Sequence, residues 1–170
     1  MIDIDVAVRQ TTLHIDEGRL RNVAVAILAD AGIETASLSI ALVDDREIHQ
    51  LNLRYLAHDE TTDVLSFLLE RGPGRLEGEV VASAEMALAK AADYGWPAGD
   101  ELLLYVIHGI LHLVGHDDTS DATEAAMRRA ESRFLEFAGV MPRRQARGER
   151  DGPEVGPSAI RTRQEGDSTR

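Results

Sequence analysis

The sequence predicts an α+β fold, a small mixed β-sheet packed with about five helices in the element order βαβαββααα. Three patterns predict it. Leu38, Ile40 and Leu42 alternate with smaller residues over residues 37–43, the period of a half-buried strand. Leu20, Val23, Ala24, Ile27, Leu28 and Ala31 recur at steps of three and one, the stripe of an amphipathic helix. Residues 102–114 are apolar nearly all round, as in a helix buried at the centre of a domain. A chain of 170 residues, 44% of them hydrophobic, is long enough for one domain with a full core.

The elements follow in order. Residues 4–8 read as a first strand, and the helix carrying the Leu20 stripe stops at Gly32, which tolerates the positive φ of a helix end. After the strand at 37–43, Asp44 or Asp45 caps a helix running to about Tyr55. Residues 56–63 are polar and loop-like. Residues 64–69 and 78–83 are two strands, and Arg71-Gly72-Pro73-Gly74 between them makes a hairpin the simplest connection. Residues 84–94, rich in Ala, Met and Leu, form a helix that Gly95-Trp96-Pro97 breaks, with Trp96 read as a packed corner. Asp100 is the expected cap of the apolar helix at 102–114. Ser120 or Asp121 starts the last helix, through Ala138, with Met127, Leu135 and Phe137 among its core candidates.

The apolar periodicity ends at Met141-Pro142. Residues 1–140 are therefore expected to form a single domain, and residues 141–170 a disordered charged tail whose Arg143, Arg144, Arg147 and Arg150 are solvated. The net charge is −12, and it is uneven: residues 1–141 hold 25 acidic against 11 basic side chains, the rest 5 against 7. So acidic a body excludes binding nucleic acid by sheer basicity. The absence of cysteine excludes disulfides and thiolate metal sites. Met1-Ile2-Asp3-Ile4-Asp5 carries acids where a secretory signal carries bases, and no apolar run approaches membrane length, so a soluble cytoplasmic protein with no membrane partner is expected.

Half of the six histidines lie in His108-Gly109-Ile110-Leu111-His112-Leu113-Val114-Gly115-His116-Asp117. His108 and His112 are i and i+4 neighbours on the apolar helix, so both imidazoles leave one face. Gly115 offers a left-handed stop and His116 follows the bend. One histidine on an apolar helix is often only a hydrogen-bonded core residue. Three together, flanked by Ile107, Leu111, Leu113 and Val114, would each need a separate buried partner, and one shared ion satisfies all of them. His108, His112 and His116 are accordingly the expected metal ligands, which places a zinc site on the central buried helix; nickel, cobalt or iron fit the same ligand type. Three imidazoles leave a tetrahedral zinc one open corner for water, the arrangement of a catalytic site. Zinc peptidases of the H-E-x-x-H type use the Glu to activate that water, and Gly109 stands in its place.

The residues from His108 to Asp117 resemble the H-G-x-L-H-L-x-G-H/Y-D hallmark of the YbeY endoribonucleases, also described as rRNA maturation factors. The run from Leu51 to Phe67 resembles the family's L-N-x-x-Y-R-x-x-D-x-P-T-D-V-L-S-F block, and residues 78–83 its L-G-D/E-I-V-I-S strand. The resemblance covers about residues 1 to 140. It implies a zinc-dependent, single-strand-specific endoribonuclease acting at the 3′ end of small-subunit rRNA and in ribosome quality control. It implies the same three histidines as ligands, with ribosomal RNA and small-subunit proteins as partners and no DNA. Leu56 stands where the family block has Arg, and Thr61 where it has Pro. Arg54 and His58 are the nearby candidates to replace that arginine. Asp117 and Asp118 either orient a ligand imidazole or begin the cap of the last helix. Thr62, Asp63 and Ser66 match the block and either line the cleft or serve the strand edge. Either water or the ribose 2′-OH is the nucleophile. Two other readings stay open: a non-catalytic zinc-stabilised ribosome assembly factor, and a zinc hydrolase of peptides or small molecules, which Gly109 disfavours.

Overall fold

The computed structural model describes residues 1–141; of the tail expected at 141–170, everything after Met141, with its four clustered arginines, lies outside the described residues. The elements run β1 (Ile2–Val8), α1 (Glu17–Asp30), β2 (Thr35–Val43), α2 (Asp45–Leu56), β3 (Val64–Gly72), β4 (Arg75–Ser83), α3 (Ala84–Tyr94), α4 (Ala98–Leu113) and α5 (Asp121–Phe137). This is the α+β order read from the sequence. The four strands lie in the order β1-β2-β4-β3; β1, β2 and β4 are parallel, and β3 pairs antiparallel with β4.

Strand alternation divides the core. Leu38, Ile40 and Leu42 of β2 and Val80 and Ala82 of β4 face the main core shared with α1, α4 and α5. Ala41, Val43, Leu65 and Val81 face a smaller cluster under α2, built around Ile48 and joined by Leu56. Helix α4 is buried on all sides from Glu101 to Leu113, as its unbroken apolarity predicts. Two glycines set its distance from the sheet. A Cβ on Gly109 would stand 2.7 Å from a Val80 methyl and 2.9 Å from Ser66 Oγ, and one on Gly78 would stand 3.0 Å from Leu113. The Ser66 hydroxyl also donates to the Gly109 carbonyl at 3.0 Å, tying α4 to β3.

Several local expectations change. Helix α4 starts after Pro97, which has no side-chain cap, and Asp100 lies in its first turn, accepting from Arg19 at 2.9 Å. Proline fixes a backbone angle suited to a helix start, which displaces the expected cap. Pairing runs from Gly72 opposite Arg75, so Arg71 and Gly72 belong to β3 and the turn is only Pro73-Gly74. Phe137 is 62% exposed, and Phe134, one turn earlier, is the buried aromatic of α5 with Met127 and Leu135. Ala31 is an exposed C-cap rather than part of the buried stripe. Asp44 caps α2 by accepting from Glu47 N–H, Ser120 caps α5 in a capping box with Thr123, and Trp96 is a corner whose Nε1 donates to Glu101. No helix of the described residues is long and apolar enough to cross a membrane.

Candidate metal centre

The i, i+4 spacing on α4 brings the Nε2 atoms of His108 and His112 to 2.8 Å, with the rings 75° apart. Both rings are buried. Helix α4 then ends. Gly115 N–H donates to the His112 carbonyl at 3.0 Å, and His116 N–H donates to the Leu111 carbonyl at 2.9 Å. Gly115 adopts φ +108°, which only glycine takes without strain, and the chain doubles back. The reversal carries Asp118 over the imidazoles, with Oδ2 at 3.7 Å from His108 Nε2 and 3.6 Å from His112 Nε2.

Among the described residues, the group whose ligand atoms lie within 4.8 Å of one another is His108, His112 and Asp118. Asp118 completes this group and the His116 side chain is not among its atoms, because the left-handed turn brings the residue three beyond Gly115, and not the residue next to it, to the two imidazoles. His116 contributes its backbone carbonyl, which lies 3.1 Å from His112 Nδ1. A signal for Asp118 was present: the spacing H-x-x-x-H-x-x-G-x-x, with a third ligand after it, is that of the metzincins, and the third place falls at 118.

The outer nitrogens show why these groups fit a cation. His108 Nδ1 meets the Glu131 carboxylate of α5 at 2.6 Å, and His112 Nδ1 meets a carbonyl, which can only accept. Both rings therefore carry their proton on Nδ1, and their Nε2 lone pairs face each other beside a carboxylate. Two lone pairs at 2.8 Å repel unless a positive charge lies between them. A proton on His112 is disfavoured, since burial and the neighbouring His108 charge lower its pKa, against the opposing pull of Asp118. A metal ion has neither disadvantage. The two imidazole nitrogens and the Asp118 carboxylate would be the groups to hold such an ion.

The other candidates are not members of this group. Asp63 is buried; its carboxylate accepts from Val64 N–H at 2.8 Å and from the Thr62 hydroxyl. Burial pushes its pKa up to about 6, and the charge of His108 opposes the rise. The Thr62 and Ser66 hydroxyls are engaged in backbone and carboxylate contacts that hold β3. Asp117 is exposed and accepts from Asp118 N–H and Thr119 Oγ1; the Thr119 hydroxyl is the main cause of its lowered pKa. Arg54 is exposed and stacks over the Tyr55 ring, and His58 is exposed in the loop after α2. Neither belongs to the ligand group. Leu56 packs into the α2 cluster on the other face of the sheet. Glu131 had no signal in the sequence, because it reaches His108 from 23 residues away.

The family model described as Endoribonuclease YbeY matches residues 5–139. The Endoribonuclease YbeY of Rhodopirellula baltica is 45% identical over 123 residues, a match covering 71% of this chain and 63% of that protein, less than two thirds of its length. That of Anaeromyxobacter dehalogenans is 41% identical over 151 residues, covering 85% of this chain and 78% of that protein. A Thermotoga maritima protein solved in solution superposes with a TM-score of 0.55 at 23% identity, covering 87% of this chain and all of that one, a likeness of fold. With most of its domain and the whole histidine segment inside the family match, the chain belongs to the Endoribonuclease YbeY family.

Proposed function

We propose that the protein is a zinc-dependent, single-strand-specific endoribonuclease of ribosomal RNA processing, acting at the 3′ end of small-subunit rRNA and in ribosome maturation or quality control. The observation that carries this reading is the convergence of His108 Nε2, His112 Nε2 and the Asp118 carboxylate in a chain of this family. The relatives' shared name, endoribonuclease, supports RNA as the substrate. Two imidazoles and a carboxylate are a donor set of catalytic zinc sites. The same set holds iron(II) in oxygenases, but phosphodiester hydrolysis requires no redox change, which favours zinc.

When bound, the ion supplies Lewis acidity toward a phosphoryl oxygen and acidifies a neighbouring water. The chain's own residues do the rest. Glu131 and the His116 carbonyl hold the Nδ1 protons, which fixes both Nε2 lone pairs inward. The Asp118 side chain is 27% exposed against 5% and 3% for the two histidines, so the site opens to solvent on the aspartate side. Asp63, whose pKa burial pushes up to about 6, accepts from Val64 N–H and the Thr62 hydroxyl at the start of β3. No glutamate base follows the first histidine: position 109 faces the sheet, where even a Cβ overlaps Val80. That disfavours the peptidase reading. The domain of residues 1–140, small-subunit proteins as docking partners and a cytoplasmic location belong to the same proposal.

The test is cleavage of an end-labelled single-stranded RNA by the zinc-loaded protein, beside a chelated sample and His112→Ala and Asp118→Ala variants. Cleavage lost in all three controls is the expected result. Cleavage that survives chelation and both substitutions would overturn the proposal. Metal-dependent binding to small ribosomal subunits without any cleavage would favour the assembly-factor reading.

A further inference from the structure

A phosphodiester approaching this centre meets little positive charge. Asp118 is among the ligand atoms and Glu131 stands behind His108, so two carboxylates already balance a divalent ion, and Asp117 adds a third at the rim. Most arginines of the body are spent on carboxylates, as in the pairs Arg9–Glu47, Arg19–Asp100 and Arg133–Asp30. Arg71, near the end of β3, is different. Among the described residues it has no carboxylate partner, and its NH2 donates to the Val114 carbonyl at 2.9 Å. Its NH1 stands 3.0 Å from where a Cβ on Gly115 would lie, so the guanidinium is laid against the turn that joins His112 to Asp118. One donor caps the helix end; the rest of the group is at an exposed residue with charge to offer.

We propose that Arg71 is the cation that contacts the RNA phosphate at the metal centre, supplied from the β3–β4 hairpin to a site whose own ion is neutralised by carboxylates. The inference rests on the ribonuclease reading. It also assigns Gly115 a second role, since a side chain there would displace the guanidinium.

Helix capping and phosphate contact are separated by Arg71→Gln, whose amide can still donate to the Val114 carbonyl but carries no charge. The probe is a labelled 2′-O-methyl single-stranded RNA of about ten nucleotides, titrated by fluorescence anisotropy at several salt concentrations into zinc-loaded protein. Arg71→Gln should bind about tenfold more weakly, and its dependence of log K on log salt should be shallower by about 0.7, the value of one phosphate contact to a single strand. Arg71→Lys should keep that slope, and Arg75→Gln, on the same hairpin and facing Glu70, should leave both unchanged. Equal affinity and slope in wild type and Arg71→Gln, while wild type cleaves RNA, would overturn this inference alone. A wild-type protein that neither binds nor cleaves would overturn the ribonuclease reading and this inference with it.

Discussion

Glu131 offers the sharpest test of the metal centre, because it touches no ligand atom. Its carboxylate lies 2.6 Å from His108 Nδ1, and both side chains are almost fully buried. Three consequences follow for Glu131→Ala: the Nδ1 proton loses its acceptor, the ring loses the contact that fixes its tautomer, and the donor nitrogen loses the basicity lent by a neighbouring anion. Removing such an outer partner weakens metal binding by about 10- to 100-fold, or roughly 1.4 to 2.7 kcal/mol. The buried contact places Glu131→Ala near the upper end. Glu131→Gln keeps an acceptor oxygen but no charge and should fall near tenfold. The assay is a zinc competition titration against a chromophoric chelator, with thermal melts of the metal-free proteins to verify folding. Imidazole nitrogen shifts give a second readout: His108 should be held as the Nδ1–H tautomer in wild type and released in Glu131→Ala. Zinc affinity unchanged in a folded Glu131→Ala protein would refute the reasoning that the outer hydrogen bond organises the site.

Asp118→Ala should reduce zinc affinity at least about 100-fold, the upper end of what losing an outer partner costs, whereas His116→Ala should change it less than about threefold because that residue meets the group only through its carbonyl; the same titration decides, and the reverse order would show that the imidazole of His116 is the ligand. Gly109→Ala should destabilise the fold by about 1 to 3 kcal/mol in urea unfolding, since the new methyl overlaps Val80 and Ser66, and a neutral result would mean α4 can lift from the sheet. Asp63 is raised to about 6 by burial, so between its unfolded and folded pKa values the native state binds the extra proton and stability falls as pH rises. Asp63→Asn should remove that fall in the metal-free protein, gaining at most about 3 kcal/mol over wild type at pH 8 relative to pH 4; parallel pH profiles for the two proteins would refute the assignment.

What was legible in the sequence was periodic. The Leu20 stripe, the Leu38 alternation and the apolar run of α4 each repeat at the period of their element, and each became that element. His108 and His112 were legible because one helix turn joins them. Asp118 was not legible from helical spacing, which does not extend through the left-handed turn at Gly115; its signal lay only in the longer spacing that runs on past that glycine. Glu131 reaches His108 from α5 and Arg71 reaches the turn after α4 from β3, and only the packing of those elements on α4 brings them there. Phe137 illustrates the limit on core prediction: with Phe134 one turn away, composition alone does not decide which aromatic faces inward.

Two glycines in α4 and its terminal turn explain the chemistry the site can perform. Gly109 lets the helix lie against Val64, Ser66 and Val80, and that closeness places the position after the first histidine on the sheet side, where a glutamate has no room. The chain thus forgoes a local base. Gly115 turns it back so that Asp118 closes the ligand group and Arg71 lies flat on the turn. With the Asp118 carboxylate in the ligand group and Glu131 behind His108, the Arg71 guanidinium on the terminal turn is the group left to meet a substrate's negative charge. A neutral peptide carbonyl would leave that guanidinium without a counterpart, whereas the phosphodiester proposed as substrate would supply one.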